Sequence, residues 1–246
     1  MFLSGILLLL VVLLTGPLWV LISGQLDLKA HWRTANRQSM GTVPSPETFP
    51  EASIRIYYAR SFNWRGAFAV HSWVALKEKN GNSYQIFQVM GWRLFGNQSS
   101  VDVHWGAPDR YWYGEKAMLL GEITGAAAEQ AIPKIRQASE QYPFAWSYRV
   151  WPGPNSNTYI SYLIRSAGNL PFGLPPTAIG KDYPVDGAFF SKTPSHTGYQ
   201  FSFYAFFGFI LSKSEGLRFQ LLGLEFGWNP LKGEFYWPGV GVFNYF

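Results

Sequence analysis

Val70-His71-Ser72-Trp73-Val74-Ala75-Leu76, a polar break containing Asn80-Gly81, then Tyr84-Gln85-Ile86-Phe87-Gln88-Val89-Met90: this stretch decides the fold class. Both arms are rich in β-branched and aromatic residues, the composition of strands. Asn-Gly supplies the positive φ that a tight reversal needs, which makes it a strong hairpin signal. Residues 70–76 and 84–90 are therefore expected to pair antiparallel. Upstream, residues 53–59 read as another strand, and the strand-like composition of the first arm already begins at residue 66.

Working outward, residues 125–141 carry the clearest soluble helix, with Ala126, Ala127, Ala128, Ala131, Ile132, Ile135 and Ala138 expected on its apolar side. Pro133 falls inside it and predicts a kink or a fresh start near Ile132, since proline lacks the N–H of the helix ladder. Residues 144–151 read as a strand. Trp151-Pro152-Gly153-Pro154 forms a rigid approach to a short helix over 155–165, with Tyr159, Ile160, Leu163 and Ile164 on its buried side. Residues 170–184 are proline-rich loop, and 199–242 are strand-like and very aromatic. No internal repeat is visible. The expected fold class is α+β: an N-terminal transmembrane helix, an antiparallel-sheet domain with packed helices, and a β-rich C-terminal region.

The transmembrane expectation comes from residues 2–26, which hold no ionisable side chain. About 20 helical residues span a bilayer core of about 30 Å. A cleaved signal peptide fits less well, because no Lys or Arg precedes the apolar run. The sequence thus divides into an anchor (1–26), a connector (27–50) broken by Gly41, Pro44, Pro46 and Pro50, and a globular α+β domain (51–246). The expected location is a membrane, single-pass. Lys29, Arg33 and Arg37 follow the anchor and point the domain inward by the positive-inside rule, but Asp27 partly offsets them and the side of the domain stays open.

Composition narrows the function classes. Aromatics make up 18% of the chain and charged residues only 14%, which calls for a large core or an apolar contact surface. The net charge is +5, but the basic residues are scattered rather than clustered, so nucleic acid is not an expected partner. A lipid bilayer is, together with a lipid or peptide substrate. The absence of cysteine removes thiol nucleophiles, thiolate metal sites and disulfides. Asp102 and His104 share a strand face, but two ligands do not make a metal site. The glycine and lysine between 173 and 181 lack phosphate-loop spacing. No metal and no cofactor are expected.

One constellation carries chemistry. His71 lies early in a strand, and Ser156 lies where a helix is expected to start. A hydroxyl there meets unpaired N–H groups and the positive end of the helix dipole, which stabilise a developing oxyanion. His71 is the candidate base, and Gln88, on the next strand, the residue that orients it. Asn155, Asn157, Trp151, Lys181 and Asp182 are candidate substrate-binding residues. The competing reading is helix capping: Asn155, Ser156, Asn157 and Thr158 are cap-forming types without any catalysis.

Several stretches resemble a bacterial, membrane-associated domain-of-unknown-function family. They include His31-Trp32-Arg33-Thr34-Ala35, Trp64-Arg65-Gly66-Ala67-Phe68-Ala69-Val70-His71-Ser72-Trp73, Pro108-Asp109-Arg110-Tyr111-Trp112-Tyr113-Gly114, Arg149 through Thr158, Pro175 through Tyr183, and Thr197 through Ser202. More distantly, the order of His on a strand, a second strand, then a small nucleophile at a helix start is similar to the circularly permuted papain-like (NlpC-type) hydrolases. That resemblance implies a permuted papain-like fold, an envelope location and action on peptidoglycan peptides or lipids. His71 would match the base, Gln88 the third polar residue and Ser156 the nucleophile. The departure is that serine stands where those enzymes have cysteine, and a hydroxyl is far less ionised than a thiol. The function expected is an envelope protein that binds or hydrolyses an amide or ester. The alternative is a non-catalytic protein that binds lipid or a membrane-complex partner through its aromatic C-terminal region.

Overall fold

A computed structural model describes residues 2–168 and 170–245. Among these residues two antiparallel sheets form. The first takes β1 (Ser53–Arg60), β2 (Val70–Lys77), β3 (Gln85–Val89), β4 (Val101–Trp105) and β5 (Met118–Thr124) in the order β4-β3-β2-β1-β5. The opening hairpin is present as expected: Val74, Ala75 and Leu76 pair with Phe87, Ile86 and Gln85. Asn80 adopts φ 57° at the turn.

Helix α2 (Gly125–Glu140) and helix α3 (Ser156–Ala167) cover one face of this sheet. The alternation along β2 sorts its residues. Val70, Val74 and Leu76 join Ile132, Ile135, Tyr159, Ile160 and Leu163 in the main core, whereas Trp73 and Ala75 join Tyr57, Tyr84 and Ile86 in a smaller core on the other face. The connector covers that second face, with Met40 and Val43 packed on it. Its backbone is tied down by Asp109, which accepts hydrogen bonds from Ser39, Thr42 and Val43. These bonds hold the Asp109 carboxyl below its usual range, although burial alone would raise it.

The second sheet is a seven-stranded meander of β6 (Phe190–Lys192), β7 (Gly198–Phe203), β8 (Phe207–Ser212), β9 (Gly216–Leu221), β10 (Leu224–Asn229), β11 (Glu234–Trp237) and β12 (Gly241–Asn244), each paired with its sequence neighbour. A buried ionic cluster joins it to the first unit. Lys181 contacts Asp182 at 2.7 Å and also Glu225 of β10, and Arg218 of β9 contacts Glu225 at 3.1 Å.

Three expectations need correction. Among the described residues no helix is long and apolar enough to cross a membrane, so the transmembrane helix and the single-pass location are not supported. The N-terminal run instead forms helix α1 (Phe2–Ile22), whose second half docks on the domain. Val20 is fully buried with Leu26 and Ala67, and Gly16 lies so close to the Pro238 carbonyl that a side chain there would overlap it. Second, no fresh helix starts near Ile132: α2 runs through Pro133 as one helix. Burial of Ala131, Ile132 and Ile135 holds the turn that the missing N–H would loosen. Third, residues 144–151 form no strand. Their backbone serves other partners: the Ala145 carbonyl accepts from Ser100 N at 2.7 Å and from the Ser99 and Ser100 hydroxyls.

Candidate active site

The hairpin ladder stops at Val74–Phe87. Towards residue 70 the two strands separate, and β2 stays paired only with β1, where His71 faces Ala59. A cavity of about 1130 Å³ opens here, bordered by Val70, His71, Val89, Gly91, Ser156 and Asn157. Its walls are aromatic, with Phe62, Trp64, Phe68, Trp92, Trp112, Tyr148 and Trp151 among the lining residues.

His71 is held on both sides. Its ring stacks on Trp112 with centroids 3.6 Å apart and planes 6° apart. Nε2 lies 3.1 Å from Gln88 Oε1. Gln88 Nε2 in turn donates to Asp102 Oδ2 at 3.0 Å. Asp102 also takes Arg93 at 2.9 Å and His104 Nδ1 at 2.9 Å. This chain determines the histidine tautomer. An ionised carboxylate only accepts, so Gln88 must turn its NH2 to Asp102 and its oxygen to His71. The oxygen then requires a proton on Nε2, which leaves the lone pair on Nδ1. The His104 bond, followed by the bond from Gln88, keeps the Asp102 carboxyl below the usual range against the opposing effect of burial. Desolvation pushes His71 down to about 4, only partly offset by its bond to Gln88.

Ser156 is the first residue of α3, as the spacing predicts. Asn155 caps the helix. Its Oδ1 accepts from Asn157 N at 2.9 Å and Thr158 N at 3.2 Å, and Thr158 Oγ1 accepts from Asn155 N at 3.0 Å. The Asn155 NH2 donates to the Val150 and Ile179 carbonyls, both at 3.0 Å. Asn157 binds across to β2, accepting from Ser72 Oγ at 2.8 Å and donating to Val70 O at 3.0 Å. The polar atoms of both asparagine side chains are therefore committed to protein partners, although both residues line the cavity. Gly180, at φ 90°, passes so close to Asn155 that a Cβ would overlap its amide. By contrast, no described residue hydrogen-bonds the Ser156 hydroxyl, although the residue is only 4% exposed. Removing the cap in Asn155→Ala should cost about 1–2 kcal/mol, read as a lower denaturation midpoint. An unchanged midpoint would mean that α3 does not depend on it.

The structure brings His71, Gln88, Ser156, Asn155, Asn157 and Trp151 to or beside one cavity. Lys181 and Asp182 are not among its lining residues and lie in the buried ionic cluster instead. His71 and Ser156 reach the cavity differently. His71 shares the sheet face of Trp73 and Trp112, whereas Asn157, the residue after Ser156, bonds Ser72 and Val70 from the α3 side. Both line the cavity that opens where β2 and β3 part. Sequence reasoning misses Trp112, which stacks on His71, and Asp102 with Arg93, which stand behind Gln88. The signal for Asp102 was its register opposite Gln88, which needs the β3–β4 pairing. Among the described residues no group of three or more His, Asp or Glu is placed to hold a metal ion.

A family model described as protein of unknown function (DUF3750) matches residues 51–183. The chain belongs to this family. The match takes in the first sheet, α2, α3 and every residue of the His71–Gln88–Asp102 chain, and it ends before the meander. No curated protein and no solved structure matches.

Proposed function

We propose that this DUF3750 protein is a serine-dependent acyl hydrolase for an ester or amide carried on a long apolar group. One observation supports this above the others: Asp102 and Gln88 select the His71 tautomer that presents a basic Nδ1, and His71 shares a cavity with an uncommitted serine at a helix start. The cavity size exceeds what a small polar metabolite needs, and its aromatic wall favours an acyl chain over a peptidoglycan peptide.

In the first step Nδ1 takes the Ser156 proton as Oγ attacks the carbonyl carbon. The carbonyl π electrons move to oxygen. The amides of Asn157 and Thr158 are occupied by the cap, so the oxyanion falls to the Ser156 amide and the helix dipole. Collapse expels the leaving group, which takes the proton from His71 and leaves an acyl-serine. Water, deprotonated by the same ring, then adds to the acyl carbon, and Oγ leaves with the proton returned from His71, which restores both Ser156 and the neutral ring.

A fluorophosphonate probe tests this reading. Labelling is expected in the full chain and in Ser161→Ala, and is expected to vanish in Ser156→Ala. Folded protein that takes no label would sink the proposal. Saturable binding of a fluorescent fatty acid by that unlabelled protein would then favour the non-catalytic, lipid-binding reading, in which Asn155–Thr158 serve only as a cap.

A further inference from the structure

The C-terminal meander is built inside out. Its buried residues include Gln200, Ser202, Gln220, Glu225 and Asn229, and this face meets the family core through Arg165–Gln200 at 2.8 Å and through Lys181–Glu225. The alternate residues point away from the core and are apolar. Strand register lines them into ladders. Phe190, Phe201, Phe209, Phe219 and Phe226 are successive cross-strand partners over five strands. Tyr199, Leu211, Leu217, Trp228, Phe235 and Phe243 form a second ladder over six. Members of the second ladder are 41–63% exposed.

A sheet packed on one side normally turns its apolar face inward. The reverse alternation, polar in and apolar out, is the pattern of strands that face lipid. A contiguous apolar face of this kind also differs from single exposed side chains, which need no explanation. Its charged surroundings say what covers it. Lys192, Lys213 and Lys232 stand exposed at the end where β6–β7, β8–β9 and β10–β11 turn. Glu215, at the same end, is buried and engaged by Ser195 and Ser212. Glu234 accepts from Tyr236. The rim is therefore cationic beside an aromatic face, the combination that suits anionic headgroups over an acyl boundary.

We propose that this face docks on the surface of an anionic lipid bilayer, with the ladders at the headgroup–acyl boundary and the three lysines on the headgroups. Leu222 and Leu224, at the β9–β10 turn, also line the active-site cavity. Docking would thus bring the cavity near acyl chains, but it does not require turnover at Ser156.

The chain has no cysteine, so one introduced thiol reports cleanly. Full-length Leu211→Cys, carrying an environment-sensitive fluorophore, should shift blue with phosphatidylglycerol–phosphatidylcholine vesicles and much less with phosphatidylcholine alone. The same label at Glu140→Cys on α2 should not respond. Leu217→Gln with Trp228→Gln should weaken vesicle affinity about tenfold, with an unchanged unfolding midpoint. Lys213→Glu with Lys232→Glu, which spares the apolar face, should remove the preference for anionic vesicles. Absence of the shift overturns the proposal, as does vesicle binding indifferent to both pairs, which would assign binding to α1. A dimer in sedimentation that Leu217→Gln with Trp228→Gln dissolves would make the face a self-interface and also overturn it. Fluorophosphonate labelling without vesicles reads the hydrolase separately.

Discussion

Phosphonylation of Ser156 by a fluorophosphonate should hold its plateau down to about pH 5 and fall through pH 4, the value to which burial lowers His71. An unburied imidazole would lose its base near 6.5, the ordinary value. His71→Ala should slow this labelling by about 10²–10⁴ at neutral pH, the usual contribution of a general base. The depressed value also limits the rate, because a weaker base takes a proton less readily. Gln88→Glu combined with Asp102→Asn tests that limit. It places a carboxylate on Nε2 and leaves an amide able to donate to it and accept from Arg93. The acid limb should then move up from pH 4. An acid limb near 6.5 in the wild type, or labelling unaffected by His71→Ala, would remove His71 from the mechanism.

The same shift predicts a stability effect with a definite sign. The folded value, about 4, lies below the ordinary 6.5, so the unfolded chain binds the proton more readily between them. Stability from the neutral ring is fully present above about pH 6.5 and is lost as pH falls towards 4. The window corresponds to about 3 kcal/mol. His71→Gln should lack this component, so between pH 6.5 and 4 the wild-type unfolding free energy should fall more steeply than the variant's.

The hairpin and α3 were legible because their signals are local. Asn80-Gly81 specifies its own turn, and Asn155-Ser156-Asn157-Thr158 contains both halves of a capping box. His71, Gln88 and Ser156 followed from that order alone. Asp102 was not legible as a partner because its role arises from strand pairing, and sequence spacing suggested only an incomplete metal pair with His104. Residues 144–151 misled because β-type composition describes side chains, whereas their backbone groups had non-strand partners in Ser99 and Ser100. The N-terminal run misled for a related reason. Hydropathy counts apolar residues but does not show that Gly16, Pro17 and Val20 have a docking surface at Ala67 and residues 237–240. The meander was legible as strands, yet its inverted faces appear only once the register aligns one phenylalanine with the next.

Glu225→Ala should destabilise the protein by about 3–5 kcal/mol, the cost of breaking a buried ion pair from one side. Glu225 is 1% exposed and touches both Lys181 and Arg218. With Asp182 the four side chains balance in charge, and deletion leaves two buried cations against one carboxylate. Burial alone would lower Lys181, but Asp182 and Glu225 more than reverse this, and its affinity for the proton is raised. The stability it contributes is therefore present through neutral pH and lost only as pH rises through that raised value. Glu215→Ala is the matched comparison. That carboxylate is also buried and held by Ser195 and Ser212, and Arg218, whose charge also acts on it, keeps its contact with Glu225 when Glu215 is lost. Chemical denaturation at pH 7 should rank the variants in this order. A loss below about 1 kcal/mol for Glu225→Ala would show the cluster to be dispensable. The prediction bears on the aromatic face as well. Because strand side chains alternate, Glu225 and Arg218 can be buried only if their neighbours Leu224, Phe226, Leu217 and Phe219 turn the other way. The cluster that attaches the meander to the core is thus the same feature that turns its apolar residues outward. Limited proteolysis of Glu225→Ala should accordingly release the meander before it cuts the 51–183 unit.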